Sequence, residues 1–449
     1  MRVRPPWPLV AALTLGLLIS GCGKSLPGEA QSEANPSVIA PVNSQGAGGL
    51  ATKNTTRLGG ADPLVDAAAV SLAVYPGLTS ASRPQVVVVV DEQEWPQALA
   101  AAALAGAPLN APLLYSDKGS LPEVSAQALK AMRPKGAPSL GGAQVIAVGA
   151  GAATAVPANY RARKLTGPNA YAVATQIAKL VQSMQGKVPS QVVVASADGP
   201  PALAMPAAGL AAESAVPILL VSSAAVPSAT SGQLKRWHHP SIYIVGSSAA
   251  VSSTAAGQLA RYGTVKRIVS PVGRIGPNDP VGNAIAVSLF SEEGFGWGVD
   301  EPGHGLVFAN ATRPLDAPAA APLSASGQYG PLLLLEDPDS VPKVLSEYLT
   351  DIRPGYSETP AYKPVHGAYN HGWLIGDESA ITAKTQAELD GLLEIYPSGS
   401  SSSTSSTSSS ASSTTTSAGS STTSTTTTTT AATTSTATKP ATSLPLPKK

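Results

Sequence analysis

Residues able to carry chemistry are few and scattered in this chain of 449 residues. The histidines, His238, His239, His304, His366 and His371, include no His-x-x-x-His pair, and the one cysteine, Cys22, has no second thiol, so the ligand spacing of a zinc site is missing. No Gly-x-Ser-x-Gly elbow offers an activated serine, and no histidine is placed to serve one. Acidic neighbours occur at Glu292-Glu293, Glu336-Asp337 and Asp377-Glu378. They read as turns and caps, because a glycosidase pair is defined by a separation in space that adjacency does not supply.

What remains is recognition chemistry. Ser196-Ala197-Asp198-Gly199 follows a strand-like run, where the free amides of a helix N-terminus would favour an anion. Arg161, Arg163 and Lys164 form one basic cluster, Lys266, Arg267 and Arg274 a second, and Arg57 stands at the corresponding place upstream. Arginine grips phosphate or carboxylate bidentately, so these positions are candidate anion contacts; a solvated linker face is the other reading. Gly294-Phe295-Gly296-Trp297-Gly298, and Tyr356, Tyr362 and Tyr369 further on, set aromatic rings on loops. Such rings stack on the apolar face of a sugar or pack on a neighbouring segment. No catalytic residue, cofactor or metal is expected.

The elements that must position these residues are organised around Val192–Val221, VVVASADGPPALAMPAAGLAAESAVPILLV. β-favouring residues run into a Gly/Pro turn, then small helix formers, then a proline and a second apolar run, the pattern of one βαβ unit. The pattern occurs three times, starting at Val86, Val192 and Leu306. The copies are spaced by roughly the length of a small domain. A glycine lead-in and an Ala-rich helical segment precede each copy: Gly59-Gly60-Ala61-Asp62, Gly167-Pro168-Asn169 and Gly276-Pro277-Asn278-Asp279. A short strand ending in glycine follows each, at Gly149, Gly246 and Gly376. The lead-ins lack the G-x-G-x-x-G spacing of a nucleotide loop and read as tight turns.

Apolar strands alternating with helical segments imply α/β architecture: three tandem small parallel-sheet units of Rossmann/flavodoxin-like or toprim-like kind, each sheet covered on both faces. Pro112, Pro217 and Pro331 precede the second strands, where a missing amide is tolerated, and the helices between are expected to begin near Pro206 and Pro322. Their alanines let each helix lie close to its own sheet.

Composition limits the function classes. Charged residues make up 13%, aromatics 4%, and the formal charge is +1, so the basic, aromatic face of a nucleic-acid binder is absent. Arg2 and Arg4 precede an apolar run from Leu9 to Ile19, too short to span a bilayer, as in a secretory signal. Loss of that signal takes the formal charge from +1 to −1. Residues 22–56 read as a flexible tether, and the Ser/Thr/Ala tract 397–449 as a disordered tail unable to form a core.

Two resemblances emerge from these residues. Leu18-Ile19-Ser20-Gly21-Cys22 resembles a bacterial lipobox, which implies cleavage after residue 21 and lipid on Cys22, tethering the chain to the outer face of a bacterial membrane. The glycine lead-in with its Ala-rich helix, the Ala-Pro-Ile-Leu-Leu type of second strand and the Val-Gly third strand resemble the cell wall binding repeat 2 family. Three copies would occupy 57–157, 158–269 and 270–396. The resemblance implies a pseudo-threefold arrangement and non-covalent binding of an anionic or other secondary cell-wall polymer. The family's Gly-x-Asp-Arg-Tyr lead-in has lost its arginine here, and its aspartate before the helix persists as Asp316, with Gln97 and Pro201 in the equivalent places. The candidate polymer contacts are then Arg57, Arg163, Lys164, Arg274, Ser196, Asp198, Asp316, Trp297 and Tyr362. The rival reading is a solute-binding lipoprotein of a transport system, which would instead show two lobes about a hinge.

Overall fold

The computed structural model describes residues 51–269, 278–292, 294–327, 329–355 and 369–395. The signal, Cys22, most of the tether, the tail, Arg274 and Tyr362 lie outside them. A first strand, β1 (Thr55–Leu58), precedes the first copy, which runs α1 (Pro63–Val74), β2 (Val87–Asp91), α2 (Trp95–Ala101), β3 (Leu113–Ser116), α3 (Glu123–Met132), β4 (Val145–Val148) and α4 (Gly149–Ala155). After β5 (Ala162–Leu165) the second copy repeats it as α5 (Ala170–Gln185), β6 (Gln191–Ser196), α6 (Pro201–Ala204), α7 (Pro206–Glu213), β7 (Ile218–Val221), α8 (Ser228–Arg236), β8 (Ser241–Ile244) and α9 (Ser253–Leu259). After β9 (Thr264–Arg267) the third has α10 (Pro280–Leu289), a hairpin β10 (Ser291–Glu292) and β11 (Phe295–Gly296), then β12 (Gly305–Asn310), α11 (Asp316–Pro322), β13 (Leu332–Leu335), α12 (Lys343–Asp351), β14 (His371–Ile375) and α13 (Ala383–Leu393).

Three sheets of four parallel strands result, in the orders β3-β2-β4-β5, β7-β6-β8-β9 and β13-β12-β14-β1. The expected triplication is therefore a triplication of topology, and the two-lobed form of the rival reading is not the one adopted. Pro112, Pro217 and Pro331 each enter a second strand with the carbonyl accepting from the central strand, at 2.8, 3.1 and 3.0 Å. The aspartates and asparagine of the lead-ins cap the helices that follow. Asp62, Asn169 and Asp279 each accept from the amide three residues on, at 3.0 Å, satisfying a donor that a helix start leaves free.

Each sheet takes its fourth strand from across a copy boundary. β5, inside the interval expected for the second copy, pairs with β4 of the first, and the glycine lead-in then carries the chain over to α5, which packs on β7. β9 likewise completes the second sheet before the chain enters the third copy. β1 completes the third, pairing Thr55 with Gly372 and Leu58 with Ile375, so the first strand closes the chain on its last sheet. The sequence boundaries at 57, 158 and 270 do not separate sheets, and the tether expected to reach Thr56 stops short of it. Thr52 Oγ1 and Asn54 N both donate to Asp390 Oδ1, at 2.5 and 2.6 Å.

The Ala-rich helices were expected to lie on their own sheets. They touch their own sheets and also one another: α2, α7 and α11 are in mutual contact. The largest apolar cluster runs through all three copies, including Ala98–Ala105, Ala207, Ala208, Ala211 and Ala319–Ala321. Small side chains let three helices converge where larger ones could not. Helix α7 begins at Pro206 as expected, but Pro322 ends α11 instead of starting it, and a wide five-residue turn follows over Leu323–Gly327. A proline that cannot donate an amide inside a helix loosens the turn around it.

Candidate functional site

At the carboxyl ends of the central strands, where open α/β folds bind ligands, the last strand residues Asp91, Ser196 and Asn310 are buried, and Asp198 beyond is exposed. Ser196 is buried and its hydroxyl donates to Asp198 Oδ1 at 3.0 Å while accepting from Gly199 N at 2.9 Å. Asp198 also accepts from Ser223 N at 2.6 Å. The equivalent Asp91 accepts from Gln93 N at 3.1 Å, and Asn310 from Thr312 N at 2.9 Å. The expected anion cradle at Ser196 and Asp198 is a loop lock, with Asp198 Oδ1 taken by Ser196 and Ser223 and the exposed carboxylate repelling an anion.

The three edge strands hold the basic residues. Arg57, Lys164 and Arg267 share one register position, opposite Leu374, Ala147 and Ile244. Arg57, 6% exposed, donates from Nη1 to the carbonyls of Gly376 (3.1 Å) and Asp377 (2.8 Å). Arg267 does the same to Gly246 (2.6 Å), Ser247 (2.8 Å) and, through Nη2, Val251 (2.6 Å). Burial pulls both guanidinium pKa values down from the ordinary range. Arg57 is thus a clamp inside the fold and no polymer contact. Lys164 in the first sheet is exposed and clamps nothing.

The edges also differ in what covers them. β1 is met by Ala51, which bridges to Thr56. On β9, Lys266 pairs with Glu292 at 2.8 Å and sits 5.3 Å from the centroid of the Phe290 ring. On β5, Arg163 and Lys164 are exposed, flank the edge from opposite faces, and have no partner among the described residues.

Junctions between copies account for the remaining candidates. Where the second copy meets the third, Phe295 of the hairpin is fully buried and stacks on Tyr243, with centroids 4.1 Å apart and planes 16° apart; Phe290 meets Tyr243 edge-on at 5.6 Å. Trp297 packs between both copies, close over Gly209, with its Nε1 buried and unpartnered. Of the two readings offered for these aromatics, packing on the neighbouring copy is the one observed, so Trp297 presents no open sugar platform.

At the junction of the first copy with the third, Asp66 on α1 and Asp316 on α11 are both fully buried. Arg313 lies between them: Nε donates to Asp316 Oδ2 at 2.8 Å, and Nη2 to Asp66 Oδ2. Asp66 Oδ1 accepts from Gly60 N at 2.7 Å, and Asp316 Oδ1 has no partner. Desolvation and the facing carboxylate push Asp66 up to about 9, against the pull of Arg313; Asp316 is raised too, chiefly by burial. Asp316 is therefore out of a polymer's reach. Sequence reasoning passed over Asp66 and Arg313; the available signal was a lone charge in the Ala-rich helix Pro63–Val74.

The junction of the first copy with the second holds a cleft of about 440 Å³, between Ala107 and Pro108 on one side and Met184, Lys187, Ser214 and Pro217 on the other. A neighbouring one of about 470 Å³ is lined by Lys179 and Lys187. Among the described residues, no three His, Cys, Asp or Glu side chains converge as a metal site would need, and no helix is long and apolar enough to cross a membrane.

With this geometry in view, comparison with known proteins finds a family likeness in the second copy. Residues 164–256, in the second copy, match the family described as Cell wall binding domain 2 (CWB2). Among solved structures, Cwp6 from Clostridium difficile is similar, with 20% identity and a TM-score of 0.57 over 75% of this chain and 48% of that one. Cwp8 from Clostridium difficile is similar at 18% identity and a TM-score of 0.57, over 76% of this chain and 52% of that one. The chain thus spans about half the length of these two proteins, and the likeness is one of fold. No curated protein matches it.

Proposed function

We propose that the chain is a non-catalytic protein of the outer bacterial envelope that binds a cell-wall polymer non-covalently through its three copies and is held to the membrane by lipid on Cys22. The match of residues 164–256 to Cell wall binding domain 2 carries the reading, and the two flanking copies share the same strand order. The anchor rests on Leu18-Ile19-Ser20-Gly21-Cys22. We place the polymer along the bare edge of the first sheet, where Arg163 and Lys164 supply unpaired positive charge from both faces. An anionic polymer there would meet charge-assisted contacts and no desolvation of buried groups.

Sedimentation with purified wall sacculi tests this. The chain is expected to pellet with intact walls and to stay in solution when secondary polymers have been stripped. The double variant Arg163→Ala/Lys164→Ala should pellet less at low salt. Equal pelleting with stripped and intact walls would exclude the polymer, and unchanged binding by the double variant would exclude the β5 edge.

A further inference from the structure

The three junctions place the same two positions face to face and fill them differently. The fourth residue after the helix cap is Asp66 in α1, Val173 in α5 and Asn283 in α10. Across the junction stand Asp316 at the start of α11, Gln97 in α2, and α6 of the second copy, where Asn283 donates from Nδ2 to Leu203 O at 2.8 Å. A neutral amide thus donates at the very place where Asp66 carries a carboxyl. Among the described residues, only the junction between the first and third copies, which the chain crosses from β1 into α1, sets two acids at these positions.

Charge and hydrogen-bond accounting at this junction are incomplete without a proton. Two carboxyls with no exposed surface share one guanidinium, leaving one negative charge in excess in a buried interface. Asp316 Oδ1 is a buried acceptor with no donor. A proton between the two carboxyls removes the excess charge and supplies that donor, as the amide of Asn283 does at the neighbouring junction. We propose that Asp66 and Asp316 hold one proton between them in the folded chain, and that this proton locks the first copy onto the third.

Other ionisable groups around the pair are accounted for. Tyr115 on β3 donates its hydroxyl to Leu315 O at 2.6 Å and stays neutral, its burial raising it well above its ordinary range. Glu92 lies beyond it, and Asp377 faces Arg313 from the turn after β14. None of these donates to Asp316 Oδ1.

The sign of the linkage follows. In the unfolded chain both acids ionise near their ordinary value, whereas the folded chain keeps one proton up to about 9. The pair's contribution to stability is therefore greatest at low pH and falls as pH rises between those limits, the unfolding constant growing by up to about tenfold per pH unit from this pair. Asp66→Asn, which keeps shape and donor but cannot ionise, removes the dependence.

Urea unfolding of the full chain and of Asp66→Asn at several pH values from 5 to 9 tests the proposal, since the difference between the two slopes cancels every other titrating group. A steeper loss in the wild type is expected; parallel slopes would overturn it. Should the variant not fold, the infrared spectrum of the wild type at neutral pH decides: a protonated-carboxyl stretch is expected, and its absence would overturn the shared proton.

Discussion

The guanidinium of Arg57 reaches across 329 residues to the side-chain oxygen of Gln386, donating through Nε at 3.2 Å and Nη2 at 2.9 Å. The same group holds two carbonyls of the turn after β14, so one residue of the first strand ties down both the last sheet and α13. Hydrogen bonds from charged donors to buried acceptors are among the stronger ones, and their loss strands each acceptor in turn.

Arg57→Ala should accordingly destabilise the fold by about 2–4 kcal/mol, since it leaves several buried acceptors unpaired. Arg57→Lys, with a point charge that cannot fork, should recover only part. Thermal unfolding followed by circular dichroism measures both; a wild-type midpoint in Arg57→Ala would show that the clamp is dispensable.

Phe295→Ala should cost about 3–5 kcal/mol by removing a fully buried ring and its stack on Tyr243. The loss should be read as weakened docking of the third copy on the second. Phe295→Leu, which keeps most of the volume, should lose less. Denaturant titration of the three proteins orders them.

Close approach of the copies makes a specific prediction about glycine. A Cβ at Gly106 would stand 2.5 Å from Ala212 O, a backbone atom of the neighbouring copy, so Gly106→Ala should cost about 1–3 kcal/mol. Gly232 in α8 has nothing within 4 Å of that position, and Gly232→Ala should stabilise by about 0.4–1 kcal/mol. Equal effects from the two would contradict the packing of copy on copy.

Cys22→Ser should leave thermal stability of the folded copies unchanged and release the protein from the membrane fraction, because lipid is the only attachment proposed there. Fractionation of cells expressing each form, with metabolic labelling by a fatty acid, reads it directly. Persistent membrane association and absent labelling of the wild type would remove the anchor from the account.

Much of the fold was legible because repetition multiplies weak signals. One strand such as Val87–Asp91 is short and degenerate, but three runs followed by a glycine turn, small helix formers and a proline-led second strand reinforce each other. The fourth strands were passed over for a physical reason. Ala162–Leu165 and Thr264–Arg267 are half-exposed edges whose basic residues keep them from pairing with other chains, so composition made them look like linkers. The candidate contacts fared according to burial: Arg57, Ser196 and Asp316 have polar types that suggest a surface, and the structure spends them on internal locks.

The sequence by itself determined the unit and its number, because hydrophobic period, capping residues and turn glycines are local properties written out in each copy. Which sheet a fourth strand joins, which helices meet at the centre and which acids end up facing each other were decided only by tertiary structure. These depend on approach between segments hundreds of residues apart, as when Asp66 meets Asp316 beside Arg313. The alanine-faced helices of all three copies share one apolar cluster, while each copy keeps a second cluster of its own, so burial of the shared one depends on how the copies pack together.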